Sequence, residues 1–451
     1  MTSVIRPVSL LVFETKCHND ELVARFLGIE FGEAVLPGFG KSAPIFSENC
    51  ARQSAEYWAQ RKIFCIGCGG DTTDEHTHGA GDRQKGKCAA TLMAELVGVT
   101  ADLAVQKIVE ETLLFDSGTG CPRGHLAEFV KAVHRRQPGG ELTLMKWHQY
   151  WVKAVYDRLT LEPSPRNGRK EKTLSERIGK IMAAKSAVFP DDNIKSRIVQ
   201  DMKVIEGLGD KFVLGLPFIL QSLERTNRAD DDIDASLAFF AGIMYQEQTA
   251  FRALRKLADK KARRDRIPAV LNGRDSNLTL ITLVTDDELA LKVLLNIGAD
   301  LALIISTDGH PVILRNEKVE GLSLNTARGM IRWLELEKGA DGKPIILKGT
   351  DGKLMDLSFE ALEAFEGTHP AVPQWYGVSY MMANGTTTHR GVPRTNMIAD
   401  AAPRDVLLHA FHPRLIKQWK EARRIGIPLS NPVISIVRDE SSPSEPGVQA
   451  A

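Results

Sequence analysis

Residues 9–29 read SLLVFETKCHNDELVARFLGI, and their pattern decides the fold class. The apolar run at Leu10–Phe13 has the composition of a β-strand. The apolar residues after Asn19 recur with helical spacing, so strand passes directly into helix. The same succession follows further on. KIFCIGCGG at 62–70 reads as a second strand, and KCAATLMAELVGV at 87–99 and ADLAVQKIVEETLLFD at 101–116 read as helices. Strands alternating with helices predict an α/β domain with a mostly parallel sheet over residues 1–156.

A chain of 451 residues exceeds a typical single domain. After a Pro-rich entry, EPSPRNGRK, the pattern turns helical and charged, which predicts a helical connector over 157–266. Strands return with LTLITLV, ADLALIISTDG and HPVILRN, interleaved with helices, and predict a second α/β domain over 267–437. The expected architecture is two-lobed. The tail at 438–451 lacks apolar anchors and is expected to be disordered. No apolar run approaches the length of a membrane span. The first apolar stretch is not followed by a small-residue cleavage site, so a cytoplasmic protein is expected. All six cysteines (17, 50, 65, 68, 88 and 121) fall in the first third of the chain, which fits a reducing compartment better than a secreted disulfide framework.

Candidate chemistry gathers at the strand ends. His18 and Asp20 follow the first strand at its carboxyl end, where sites form in open α/β sheets. The second strand ends in CGGD and runs at once into Asp74, Glu75 and His76. If these loops converge, their histidines and carboxylates suit a hard divalent ion, Mn²⁺ or Mg²⁺, of the kind used to hydrolyse phosphodiesters. A second reading is a structural zinc site formed by Cys65, Cys68, His76 and His78. Against it, Cys65 lies in an apolar run that reads as a buried strand, where cysteine is ordinarily a small hydrophobe. Simpler roles also exist for the rest: Asp20 and Glu21 suit the first turn of a helix, Asp116 a turn before Ser-Gly, and His76 and His78 a polar loop.

These residues resemble the DHH phosphoesterases, in particular the Myg-type (melanocyte proliferating gene-like) exonuclease branch. FETKCHNDE is similar to the second half of that branch's opening His-Asn-Gly-x-Phe-His-x-Asp-Glu motif. CAATLMAELVG, EETLLFDSG, LSERIGKI, the acidic start of DDDIDASLAFFAGI and GVSYMMANGT continue the likeness. Four positions depart from the family pattern. Phe13 stands for a histidine, Gly67 for the strand-end aspartate, Glu75 for the first histidine of Asp-His-His, and Leu113 for the first aspartate of a later acidic motif. The resemblance then implies a metal set of His18, Asp20, Asp74, His76 and Asp116, with Asp71, Glu75 and His78 as local substitutes. It implies Mn²⁺-dependent phosphodiesterase or exonuclease activity on single-stranded RNA, DNA or a small nucleotide. In that mechanism Asp74 and His76 are catalytic, with His76 orienting the phosphate or protonating the leaving group. The alternative is an inactive DHH-like binding or assembly module.

The net charge of +1 carries no overall bias toward nucleic acid, so local charge decides. FRALRKLADKKARRDR reads as a basic helix carrying Arg252 through Arg266, able to neutralise several phosphates or simply to form a solvated face. The resemblance implies that the second domain, 267–437, is substrate-binding, which makes Asn384, Gly385, His389 and Arg390 in NGTTTHRG candidate substrate contacts, and glycine there would let backbone approach a phosphate while arginine grips it with two hydrogen bonds. STDGHP reads as a plain hairpin turn.

Overall fold

A computed structural model describes residues 5–47, 50, 52–76, 84, 86–116, 121–161, 173–336, 354–372, 374–384 and 402–424. The chain is mixed α/β and divides into two units, Met1–Ala250 and Phe251–Ala451.

The first unit runs β1 (Leu10–Glu14), α1 (Asn19–Phe31), β2 (Ala43–Ser47), α2 (Ala55–Gln60), β3 (Ile63–Cys65), α3 (Ala89–Leu96), α4 (Leu103–Asp116), α5 (Leu126–Arg136), α6 (Glu141–Thr160), α7 (Leu174–Ala184), α8 (Asp192–Glu206) and α9 (Leu216–Arg225), and α10 (Asp230–Lys261) begins in it and ends in the second. Its sheet is small and wholly parallel, in the order β2-β1-β3. Leu11, Val12 and Phe13 are all buried, because the central strand of a parallel sheet is covered on both faces. The edge strand β2 tolerates Pro44, whose missing N–H would interrupt a central ladder. Helix α1 packs on α3, α4 and α6. Helices from the segment 157–266 join the same core: Ile178, Ile198, Leu223 and Phe240 are buried together with Phe13 and Phe26.

The second unit continues with β4 (Arg263–Leu271), β5 (Arg274–Val284), α11 (Leu289–Asn296), β6 (Leu301–Ile305), β7 (Pro311–Arg315), α12 (Asn325–Glu335), α13 (Phe359–Ala364), β8 (Gly367–Thr368), β9 (Trp375–Gly377), β10 (Met381–Asn384), α14 (Ala402–His409) and α15 (Pro413–Arg424). Its sheet order is β4-β5-β6-β7-β10-β9-β8, antiparallel except for β5 and β6, which α11 connects. β4 and β5 meet through Asn272 and Gly273, both with positive φ (49° and 76°), as a two-residue hairpin requires. β6 and β7 form the hairpin expected across STDGHP.

One expectation needs correction here. The basic stretch 252–266 is not one helix. Helix α10 stops at Lys261, and Arg263, Arg264 and Arg266 lie on β4, whose nine residues pair in full register with β5. The apolar run Ile267–Leu271 buries itself only as a strand, and that tertiary pairing overrides the helical propensity of the charged residues before it. Among the described residues no helix is long and apolar enough to cross a membrane.

Candidate metal centre

β1 and β3 run parallel, so their carboxyl ends open at the same edge of the sheet. Beyond β1 the chain turns at 15–17 and enters α1 at His18, which has extended backbone (φ −88°, ψ 171°) as the N-cap residue. The His18 N–H donates to Glu21 Oε2 at 3.3 Å. Two histidines hold the residues on either side of His18. His134 Nε2 lies 2.7 Å from the Cys17 carbonyl, and His148 Nε2 lies 3.0 Å from Asn19 Oδ1. Burial lowers the pKa of both, that of His148 to about 3 with Arg25 and His125 adding to it. Each is therefore a neutral imidazole whose Nε2–H donates to an oxygen. The sequence reading missed both. The only sign of His148 was its place on the apolar stripe of α6 with Leu144, Trp151 and Val155.

The β1 exit collects a group of three. Ligand atoms of His18, Asp20 and Asp116, the last residue of α4, lie within 4.8 Å of one another. Asp20 is 3% exposed. Its Oδ2 accepts from Ala89 N at 3.1 Å, at the start of α3, while its buried Oδ1 has no hydrogen-bond partner among the described residues. Leaving a buried carboxylate oxygen without a donor is costly, and an imidazole with two carboxylates is a donor set suited to a hard divalent ion. The residues therefore fit such an ion. His18 is exposed, so the group is reached from solvent on that side.

The β3 exit uses its acids differently, and here the sequence expectation is corrected. Asp74 and His76 fall outside the group of three. Asp74 Oδ2 accepts from Gly70 N at 2.7 Å and lies 3.3 Å from Arg52 Nη1, while its Oδ1 accepts from His76 N at 3.0 Å. Both oxygens thus close the loop. His76 Nε2 lies 3.5 Å from Glu75 Oε1, and the His76 carbonyl accepts from Arg52. Asp71 binds Arg6 through both oxygens (2.6 and 2.7 Å), and also accepts from Cys65 N at 2.9 Å and Thr72 N at 2.7 Å. His78 lies outside the described residues, so of the zinc set only Cys65, Cys68 and His76 are placed, with both cysteines buried.

Phe13, Leu113 and Gly67, where the sequence departs from the motifs it resembles, are accounted for by packing. Phe13 is wholly buried beside Phe46, and Leu113 packs against the core. Gly67 has φ +67°, and a Cβ there would meet Glu21 Cγ at 2.6 Å, so the Glu21 side chain occupies that space. Glu21 is 6% exposed. Its pKa is raised well above the ordinary carboxyl value, first by burial and then by Asp20, Glu14 and Glu75. In the second unit Asn384 ends β10, with its Oδ1 3.1 Å from His310 Nδ1. Gly385, His389 and Arg390 lie outside the described residues.

No family model and no curated protein matches the chain. Among solved structures the chain is similar to an uncharacterized protein from Helicobacter pylori G27, at 9% identity over 92% of this chain and 98% of that one, with a TM-score of 0.19. A likeness of that score carries no argument about fold or function.

Proposed function

We propose that the first unit is a divalent-metal-dependent phosphoesterase of DHH type that hydrolyses phosphodiesters in single-stranded nucleic acid or a small nucleotide. The observation that carries this reading is the group His18, Asp20 and Asp116 with its unpartnered, buried Asp20 oxygen. These three residues would hold Mn²⁺ or Mg²⁺, and a bound ion supplies Lewis-acid chemistry suited to a phosphoryl oxygen. His134 and His148 keep the turn carrying His18 in place by donating to Cys17 and Asn19. Asp74 closes the loop on which His76 sits, and both stay outside the proposed ion site. Exposed Arg255, Lys256, Lys260 and Lys261 on α10, with Arg263, Arg264 and Arg266 on β4, are the proposed phosphate contacts of the second unit. The cytoplasm fits six free thiols. A binding module without catalysis is the second reading, favoured by Phe13 and Leu113 in the core and by Glu21 over Gly67.

The test is Mn²⁺ titration calorimetry and cleavage of RNA, single-stranded DNA and dinucleotides by the wild type, Asp20→Asn and Asp116→Asn. Asn keeps the shape of Asp without its charge, so each variant should bind Mn²⁺ at least about tenfold more weakly and lose cleavage while remaining folded. A wild type inactive on all three substrates with every divalent ion removes the hydrolase reading. Mn²⁺ binding retained in that inactive protein leaves the binding module.

A further inference from the structure

Strand β3 ends at Cys65, which is wholly buried. Gly69 (φ +71°) then turns the chain, as a left-handed glycine allows, and the segment at 52–58 docks on that turn from outside. Gln53 N and Trp58 Nε1 both donate to the Gly69 carbonyl at 2.9 Å, and Arg52 donates to the His76 carbonyl. The docking carries Cys50 to the end of β3. Its Sγ lies 3.9 Å from Cys65 Sγ, within hydrogen-bonding distance for two thiols. A Cβ on residue 69 would come within 2.7 Å of Cys50 Sγ and 3.3 Å of Cys65 Sγ, so the bare backbone there leaves the room in which the sulfurs meet. The two thiols differ in access. Cys50 is half-buried, whereas Cys65 is packed in with Val12, Trp58 and Ile63. The neighbouring Cys68 has another partner, since its thiol donates to the Val12 carbonyl at 3.9 Å. Among the described residues no third ligand atom joins Cys50 and Cys65 to make a metal site.

We propose that Cys50 and Cys65 form a reversible oxidation site, in which Cys50 reacts with a hydroperoxide and Cys65 resolves the product to a Cys50–Cys65 disulfide. A peroxide is attacked by a thiolate that solvent can reach, and of the two sulfurs only that of Cys50 is reachable. The contact with Cys65 also holds the Cys50 pKa well below the ordinary thiol value, and the same contact raises that of Cys65. Negative charge therefore rests on the accessible sulfur. In the first step the Cys50 sulfur attacks one peroxide oxygen, the O–O bond breaks, the other oxygen leaves as an alcohol with a proton from solvent, and Cys50 becomes a sulfenic acid. In the second step the Cys65 sulfur attacks the Cys50 sulfur, the S–O bond breaks, and the hydroxyl leaves as water with the Cys65 proton. Two thiols and one hydroperoxide thus give one disulfide, one alcohol and one water. A disulfide needs its sulfurs about 2.05 Å apart, so the pair must close by about 1.9 Å, a movement that side-chain rotation at the half-buried Cys50 supplies. Small thiols or a dithiol reverse the bridge by exchange, and a transient bridge of this kind suits a chain that otherwise holds free thiols. The bridge ties the 50–58 segment to β3, and with it Arg52, which lies 3.3 Å from Asp74.

The experiment uses the full chain, reduced and then exposed to stoichiometric hydrogen peroxide, after which free thiols are blocked and bridged peptides are mapped by mass spectrometry. Two of the six thiols should disappear into one peptide pair joining Cys50 to Cys65, and a dithiol should restore both. The oxidised chain should melt above the reduced one, because the bridge restricts the unfolded chain. Before oxidation, Cys50 should be alkylated at neutral pH at least about tenfold faster than Cys65. Cys50→Ser, at a half-buried position, should abolish the bridge while leaving the melting temperature of the reduced chain nearly unchanged. Cys65→Ser should stop the reaction at a Cys50 sulfenic acid, which a 1,3-diketone traps. Cys68→Ser should bridge like the wild type, and so should Asp20→Asn, which separates this site from the β1 centre. The proposal is overturned if no bridge forms in the wild type, if the bridge joins other cysteines or two chains, or if the paired loss of thiols survives Cys50→Ser. The wild-type map and Cys50→Ser decide the matter without the variants of the buried cysteines, should those fail to fold.

Discussion

At the exit of β1, Asp20 has one oxygen on the Ala89 N–H and the other with no donor among the described residues. At the neighbouring exit of β3, Asp71 has donors on both oxygens from Arg6, and others from Cys65 N and Thr72 N. The two aspartates are equally buried, at 3% and 4% exposure. Burial therefore does not tell an acid held by the fold from one proposed to hold a cation. The difference is whether the fold itself supplies the compensating charge and hydrogen bonds. Where it does, the carboxylate holds the loop; where it does not, a cation from solution is the natural partner.

The sharpest way to break this comparison is Asp71→Ala against Asp20→Asn in urea unfolding without divalent ions. Removing Asp71 leaves the guanidinium of Arg6 and the Cys65 N–H without their partner, so a loss of about 3–5 kcal/mol is expected. Asp20→Asn keeps an acceptor for Ala89 N and should cost less than about 1 kcal/mol. Equal losses in the two variants would erase the distinction between the exits.

Acid unfolding tests the support behind His18. The folded-state pKa of His148 is about 3, below the unfolded value of about 6.5. In that window the unfolded chain binds one proton more, so the stability His148 contributes is complete above the unfolded pKa and is lost as pH falls through the window. His148→Gln should remove a one-proton slope between about pH 6.5 and 3, an effect on the order of 5 kcal/mol across the window, about 1.4 kcal/mol for each pH unit. An unchanged slope would mean that the Asn19 side of the turn is not held by a buried neutral imidazole.

The smallest effect sharpens the β1 side alone. Glu21 has a folded pKa raised above its unfolded value, so its contribution is present below the unfolded pKa and lost as pH rises through the folded pKa. Without metal, Glu21→Gln should therefore stabilise the chain at neutral pH by about 1 kcal/mol, and the gain should vanish below about pH 4. A destabilised variant at neutral pH would show that Glu21 is held as a carboxylate by its hydrogen bond from His18 N.

Local pattern made part of this molecule legible. The strand at 10–14 and the helices beginning at Asn19, Ala89 and Leu103 follow from apolar spacing alone. His18 and Asp20 could be placed at a strand exit because they are two residues apart and adjoin both elements. Asp116 was reached through family likeness and a turn signal, since nothing in its neighbours points toward His18. Other features left no usable trace. β2 was hidden by Pro44, which an edge strand tolerates. Arg263–Arg266 carry the composition of the helix before them and the pairing of the strand after them. Asp74 and His76 looked like ligands because their residue types are right, but the loop's own N–H groups and Arg52 claim the Asp74 oxygens.

The sequence by itself determined that the chain is α/β, that its hard-donor residues gather behind the first strand, and that its cysteines belong to the first third. These depend on periodicity and composition, which are local. Only the tertiary structure decided which acids remain available, which cysteines meet, and where helix yields to strand. Each of those outcomes depends on a partner distant in sequence: α4 brings Asp116 to His18, the 52–58 segment carries Cys50 to Cys65, and β5 draws out β4. A side chain's chemistry follows from its type, but its freedom to act follows from what the fold places against it.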